Sequence, residues 1–208
     1  MPRREIELVP GEHYHIYNRG ANKQDIFLER DNYRFFLEKM REYLLGEPRR
    51  VAVPQPALSG RDQSCTFLAY CLMTNHYHFL VRIESTEFSG AMQSFSQSYS
   101  QAFNKRFHHT GTLFEGRFCA VHVDREEYLI QLSRYIHRNP LEARMVKRSE
   151  DWEFSSYREY LGLRTGTLPT TTQVLSQFES GEKYRTFVES VDLAARGKIL
   201  HLLIDEAV

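Results

Sequence analysis

Two runs, Thr66-Phe-Leu-Ala-Tyr-Cys-Leu-Met73 and His76-Tyr-His-Phe-Leu-Val-Arg-Ile83, are separated only by Thr74-Asn75 and read as the strands of one hairpin. Side chains alternate faces along a strand, so Tyr77, Phe79, Val81 and Ile83 form a core face while His76, His78, Leu80 and Arg82 point the other way. Upstream, the strand-like stretch His13-Tyr-His-Ile-Tyr-Asn18 ends at Arg19-Gly20. A helical pattern then runs from Asp31 through Phe35, Phe36, Met40 and Leu44 to Gly46. Glu47 to Gln63 holds three prolines and breaks the periodicity, as a loop does. Downstream, Phe88, Met92, Phe95, Tyr99 and Phe103 form the stripe of a long helix. Arg117 to Val123 reads as a fourth strand, and Asp124 with Glu127 as the cap of a helix whose stripe is Leu129, Leu132 and Ile136.

The order β-α-β-β-α-β-α implies an α+β fold whose first six elements make a ferredoxin-like split βαβ unit. That unit is an antiparallel sheet with helices on one face and the other face available to a ligand. The last helix, which carries Tyr135, is an addition. From about Ser149 the composition turns acidic, and the expectation is one domain over 1–148 and an appended, partly helical extension over 149–208, with a last helix from Thr172 to Val191.

With 208 residues, 41% hydrophobic and 26% charged, the chain is long enough for a sizeable core and is neither disordered nor fibrous. No membrane span or signal peptide is expected, and three cysteines without CxxC spacing fit a reducing cytoplasm. The 27 basic and 27 acidic side chains cancel overall. They are unevenly placed: residues 99–148 hold 9 basic and 5 acidic groups, and residues 149–208 hold 6 and 10. The basic block also carries His108, His109, His122 and His137 among Phe103, Phe107, Phe114 and Phe118, a mixture that grips phosphates and stacks bases.

His76 and His78 stand side by side on the face turned from the core, a spacing that chelates a divalent ion when a third ligand is supplied. The helix after Asp124 offers one. Tyr135 and Asn139 are four residues apart and share a helix face, with Arg138 on the same side. Tyr135 lies off the main apolar stripe, unlike Tyr99, which reads as core. Pro140 is expected to kink or end the helix and free the Asn139 amide oxygen.

Taken together these motifs resemble a known family. Asn75-His-Tyr-His-Phe-Leu-Val81 is similar to the His-hydrophobic-His strand of the HUH endonucleases. Tyr135-Ile-His-Arg-Asn-Pro140 is similar to the tyrosine helix of the single-tyrosine transposases, particularly the REP-associated tyrosine transposases. Gly111-Thr-Leu-Phe-Glu-Gly-Arg-Phe118 and Trp152-Glu-Phe-Ser-Ser-Tyr157 resemble that family's intervening and trailing segments, so the resemblance spans about residues 11–161. It implies single-stranded, hairpin-bearing DNA as substrate, Mg²⁺ or Mn²⁺ as cofactor and a covalent phosphotyrosine intermediate. Tyr135 is then the nucleophile, and His76, His78 and Asn139 hold the metal. Arg117 and Arg138 are candidates for phosphate contacts. A monomer or homodimer in the nucleoid-associated cytoplasm is expected. Two rivals stand beside this reading: a non-catalytic single-stranded DNA- or RNA-binding module using the open sheet face, and a hydrolase using a metal-activated water.

Overall fold

The computed structural model describes residues 6–48, 62–190, 197 and 199; most of the proline-bearing loop, and Val191, lie outside them. Four strands, β1 (His13–Arg19), β2 (Cys65–Leu72), β3 (His76–Ile83) and β4 (Cys119–His122), form one antiparallel sheet in the order β2-β3-β1-β4. This is the split βαβ arrangement: β3 lies between β1 and β2, and β1 lies between β3 and β4. The hairpin has the expected faces. Tyr77, Phe79, Val81 and Ile83 are buried against α1 (Arg30–Leu44) and α2 (Phe88–Phe107). Tyr33, Phe36, Met40 and Leu44 of α1 meet Phe88, Met92, Phe95, Tyr99 and Phe103 of α2, each set recurring at spacings of three and four.

A bulge between Phe67 and Ala69 lets β2 bury residues on both faces, Phe67 and Tyr70 on one, Leu68, Ala69 and Cys71 on the other. At the end of β1 the chain turns at Gly20, where an added Cβ would lie 2.1 Å from the Gln24 carbonyl oxygen. Only glycine permits that approach.

The second sheet face is not left open. The helix α3 (Glu126–Glu142) lies over it, followed by a 3-10 turn at Ser149–Asp151 and three short helices, α4 (Tyr157–Tyr160), α5 (Thr172–Leu175) and α6 (Gly181–Glu189). Leu68, Ala69, Cys71 and Leu80 of the sheet pack there with Leu132, Ile136, Tyr157 and Tyr160. The segment after Ser149 also covers the free edge of β2: Leu72 N–H donates to Phe154 O, Ser156 N–H to Tyr70 O and Thr170 N–H to Phe67 O, at 2.7–3.0 Å. An uncovered edge strand invites pairing with other chains, and this acidic segment protects the β2 edge from it.

Three local expectations change. Thr172 to Val191 is not one helix, because Ser180 caps a new one by accepting from Lys183 N–H at 3.2 Å. The residue capping α3 is Arg125, with no side-chain cap bond, and Glu126 and Glu127 supply the acidic first turn. Pro140 does not end α3, which runs on to Glu142. In the last turn the proline forfeits one bond, and Ala143 N–H and Met145 N–H still close on Asn139 O and Pro140 O. Among the described residues no helix is long and apolar enough to cross a membrane.

Tyr99 donates from its hydroxyl to Ile26 O at 2.5 Å, deep in the core between the sheet and α1. Tyr99→Phe is expected to cost about 1–2 kcal/mol in chemical denaturation, the penalty of an unmet buried carbonyl. Because Tyr99 lies on the face away from the histidines, the same variant is expected to leave the histidine face of the sheet unperturbed.

Candidate active site: two histidines, a tyrosine and an amide

The site lies where α3 crosses the centre of the sheet. β3 contributes His76, half-buried, and His78, fully buried, with ring centroids 4.9 Å apart. From α3, the Tyr135 ring meets His78 edge-on at 5.4 Å and His15 of β1 at 6.4 Å. Asn139, one turn further on, places its amide nitrogen 3.2 Å from His78 Nε2 and also hydrogen-bonds His76. Four of the six residues expected at the site thus meet in one place. Tyr135 is more buried than its off-stripe position suggested, at 7% exposure, because α3 lies flat on the sheet.

The hydrogen bonds order this cluster. With the Asn139 amide donating to His78 Nε2, the His78 proton sits on Nδ1, which faces His15 Nε2 at 3.0 Å. His15 therefore accepts from His78, stacks on it at 5.2 Å and holds its ring so that the Nε2 lone pair faces Asn139 and Tyr135. Burial first, then the charge of Arg19, lowers His76 to about 4, with the Asn139 hydrogen bond opposing. Burial pulls His78 well below the usual imidazole range, with His76, His15 and Arg19 adding to it. Both rings are neutral at physiological pH, as a metal ligand must be.

Two neutral imidazoles and an amide suit a divalent ion of intermediate softness. Among the described residues no group of three or more His, Cys, Asp and Glu is arranged to hold a metal ion, so any such site depends on the Asn139 amide, turned to present its oxygen.

Arg117 is exposed on the loop before β4. Arg138 is turned away: its Nη1 donates to Val188 O at 2.8 Å and Glu189 O at 3.1 Å, and its Nε to the Glu142 carboxylate at 3.2 Å. It caps the C-terminus of α6, as Arg134 does through Ser190 O, and is committed to protein acceptors rather than to the site. His15 and Arg19 are the residues that sequence reasoning missed. Their signal was the alternation His13-x-His15-x-Tyr17-x-Arg19, which puts all four on the histidine face of β1.

Residues 58–139, which contain both histidines, Tyr135 and Asn139, match the family model described as transposase IS200 like. That match covers less than half of the chain. The fold extends the likeness past that segment. A solved REP-associated tyrosine transposase bound to a REP hairpin superposes with a TM-score of 0.60 at 15% identity, covering 87% of this chain and 97% of that one. No curated protein matches the chain. At that identity the solved structure establishes a shared α+β fold with its four-stranded antiparallel sheet.

Behind the site, the opposite face of α3 is tied to α6 by a buried chain of hydrogen bonds. Ser133 Oγ–H donates to Ile130 O at 2.7 Å and Tyr184 Oη–H to Ser133 Oγ at 3.0 Å; His137 Nδ1–H then donates to Tyr184 Oη at 2.7 Å, leaving Nε2 to accept from Ser156 at 2.8 Å. Burial lowers His137 to about 3. The unfolded chain protonates this imidazole near pH 6.5 and the folded one does not, so its stabilisation is complete above that pH and is lost as the pH falls toward 3. Melting followed from pH 7.5 down to 5 should show a loss of about 1.4 kcal/mol per pH unit below 6.5 from this group. His137→Gln should be less stable at pH 7.5 and show a shallower slope; parallel slopes would mean that His137 is not held neutral.

Proposed function

We propose that this protein is a metal-dependent endonuclease and strand transferase for single-stranded DNA, acting beside hairpin-forming repeats through a covalent 5′-phosphotyrosine. The observation that supports it most is the delivery of Tyr135 from one element against a buried, neutral His78 from another, beside Asn139. The solved neighbour's REP hairpin gives the class of substrate proposed here.

Tyr135 Oη attacks phosphorus, forming an O–P bond as the bond to the 3′-oxygen breaks; the tyrosine proton goes to solvent and the departing 3′-oxygen takes one up. A phenol with a pKa near 10 is a weak nucleophile at neutral pH, so orientation and charge withdrawal at the phosphate carry the reaction. His76, His78 and Asn139 would hold the divalent ion, which supplies that charge withdrawal at a phosphate oxygen. His15 keeps His78 in the tautomer this requires. The phosphotyrosine conserves the phosphodiester, so a DNA 3′-hydroxyl can attack it and restore the tyrosine, which is strand transfer rather than hydrolysis. A water nucleophile would instead release DNA carrying no protein.

Denaturing electrophoresis should show a protein–DNA adduct on a hairpin with an unpaired flank and none on blunt duplex, whose stacked bases are hidden. Tyr135→Phe should abolish the adduct with binding retained. Cleavage by that variant with protein-free products would favour the hydrolytic reading; binding with no cleavage by either protein would favour the non-catalytic module.

The donors bring no negative charge, so metal affinity without DNA should be low and should rise when the phosphate adds an anionic oxygen, with DNA affinity rising by the same factor. Calorimetric titration of Mn²⁺ into Tyr135→Phe, alone and with uncleaved oligonucleotide, tests this; equal affinities would contradict it. Glu142, the carboxylate nearest in sequence to Asn139, is taken up by Arg138.

A further inference from the structure

One cation beside the two histidines, Arg19, has no carboxylate partner among the described residues. Arg19, the last residue of β1, is the cross-strand partner of His76 and so projects to the same face, beside the histidines whose titration it depresses. Its Nε is buried and has no hydrogen-bond partner, and among the described residues no carboxylate pairs with it. Other arginines of this region are spoken for: Arg82, on the same face of β3, is held by Glu84, and Arg138 by Glu142 and the end of α6. A buried guanidinium donor left unpaired is costly, and such orphans are explained where a ligand completes them. The backbone around Arg19 is fixed on both sides. Gly20 N–H donates to Asn75 O at 2.8 Å, Glu115 N–H to Arg19 O at 2.9 Å, and the Asn18 amide to Gly116 O at 3.0 Å. The side chain is thus presented from a rigid strand end, at the rim where half-buried His76 meets solvent. Its neighbours are neutral imidazoles, so the missing group is an acceptor with negative charge, and the planar guanidinium fork matches a phosphate.

We propose that Arg19 binds the phosphate that Tyr135 attacks, its guanidinium donating to a non-bridging oxygen. The proposal deepens, and rests on, the tyrosine-transfer reading above. Arg19 then holds the scissile group against the histidine pair and spreads the charge that develops on its oxygens during transfer.

The test uses the full chain and a hairpin oligonucleotide whose cleavage position has been located with the wild-type protein. Binding is measured in EDTA, so that no metal contributes, with Tyr135→Phe to prevent reaction. An oligonucleotide with a neutral methylphosphonate at the scissile link should bind about tenfold more weakly than the all-phosphate one, the scale of one charge-assisted hydrogen bond. Adding Arg19→Ala should bring that ratio close to one. A methylphosphonate two links away should have the same small effect in both proteins. Arg19→Lys should keep part of the ratio, since the charge survives and the fork does not. In the metal-loaded, otherwise wild-type protein, Arg19→Ala should lower adduct formation about 100-fold, the scale of removing one preorganised donor from a developing oxyanion. Arg82→Ala should leave adduct formation unchanged. A ratio that survives Arg19→Ala while the wild type still forms its adduct overturns the role of Arg19 alone. Absence of any wild-type adduct overturns the tyrosine-transfer reading, and the proposal with it.

Discussion

The antiparallel register of β1 against β3 pairs Arg19 with His76, Tyr17 with His78 and His15 with Leu80, and the composition of the site follows from that alignment. A slip of one residue would send His15 and Arg19 into the aromatic core and bring Tyr14 and Ile16 out among the imidazoles. The aromatic face prevents the slip. Ile16 opposite Phe79 and Tyr14 opposite Val81 belong to the same core as Phe36, Phe95 and Tyr99, and inverting them would take two fully buried side chains out of that core. Site geometry and core burial therefore share one constraint. The hydrogen bond between His15 and His78 is available only in the register that the core already demands.

Helix α3 completes the site and is itself a shared element, with successive i, i+4 pairs assigned to different neighbours. Leu132 and Ile136 enter the core over β2 and β3, while Tyr135 and Asn139 reach His78. Ser133 and His137 join the Tyr184 network, and Arg134 and Arg138 cap α6. A helix held on three sides has little freedom to rotate, so the segment after Ser149 fixes the position of Tyr135 without touching the reacting atoms. In the proposed reaction, preorganisation of this kind would spare Tyr135 from being ordered at the moment of attack.

Strand and helix positions were legible wherever one face was apolar and the other was not. The alternation in His76–Ile83 and the spacing of Phe88, Met92, Phe95, Tyr99 and Phe103 fixed both elements and their buried sides, and the joint pattern of His76, His78, Tyr135 and Asn139 located the candidate site. The covered second face was not legible, because its partners lie far apart in sequence: Leu68 and Leu80 meet Tyr157, Tyr160 and Val188 through contacts that no local period encodes. The acidity after Ser149 suggested an appended extension, yet its tyrosines Tyr157, Tyr160 and Tyr184 turn in against the sheet and α3. Arg138 was misjudged for a related reason. Its sequence neighbours belong to the site, but the acceptors that occupy it are backbone carbonyls fifty residues away. His15 and Arg19 went unnoticed because β1 shows its meaning only when its register against β3 is known.

The claim that most of this depends on is that Tyr135, among the 12 tyrosines of the chain, forms the bond to DNA. The direct measurement is to trap the reaction on a hairpin oligonucleotide whose 3′-product dissociates, digest the adduct with protease and nuclease, and map the modified peptide by mass spectrometry. The expected result is a single nucleotide joined through its 5′-phosphate to Tyr135. A nucleotide on any other residue, or cleaved DNA with unmodified protein, would contradict the account.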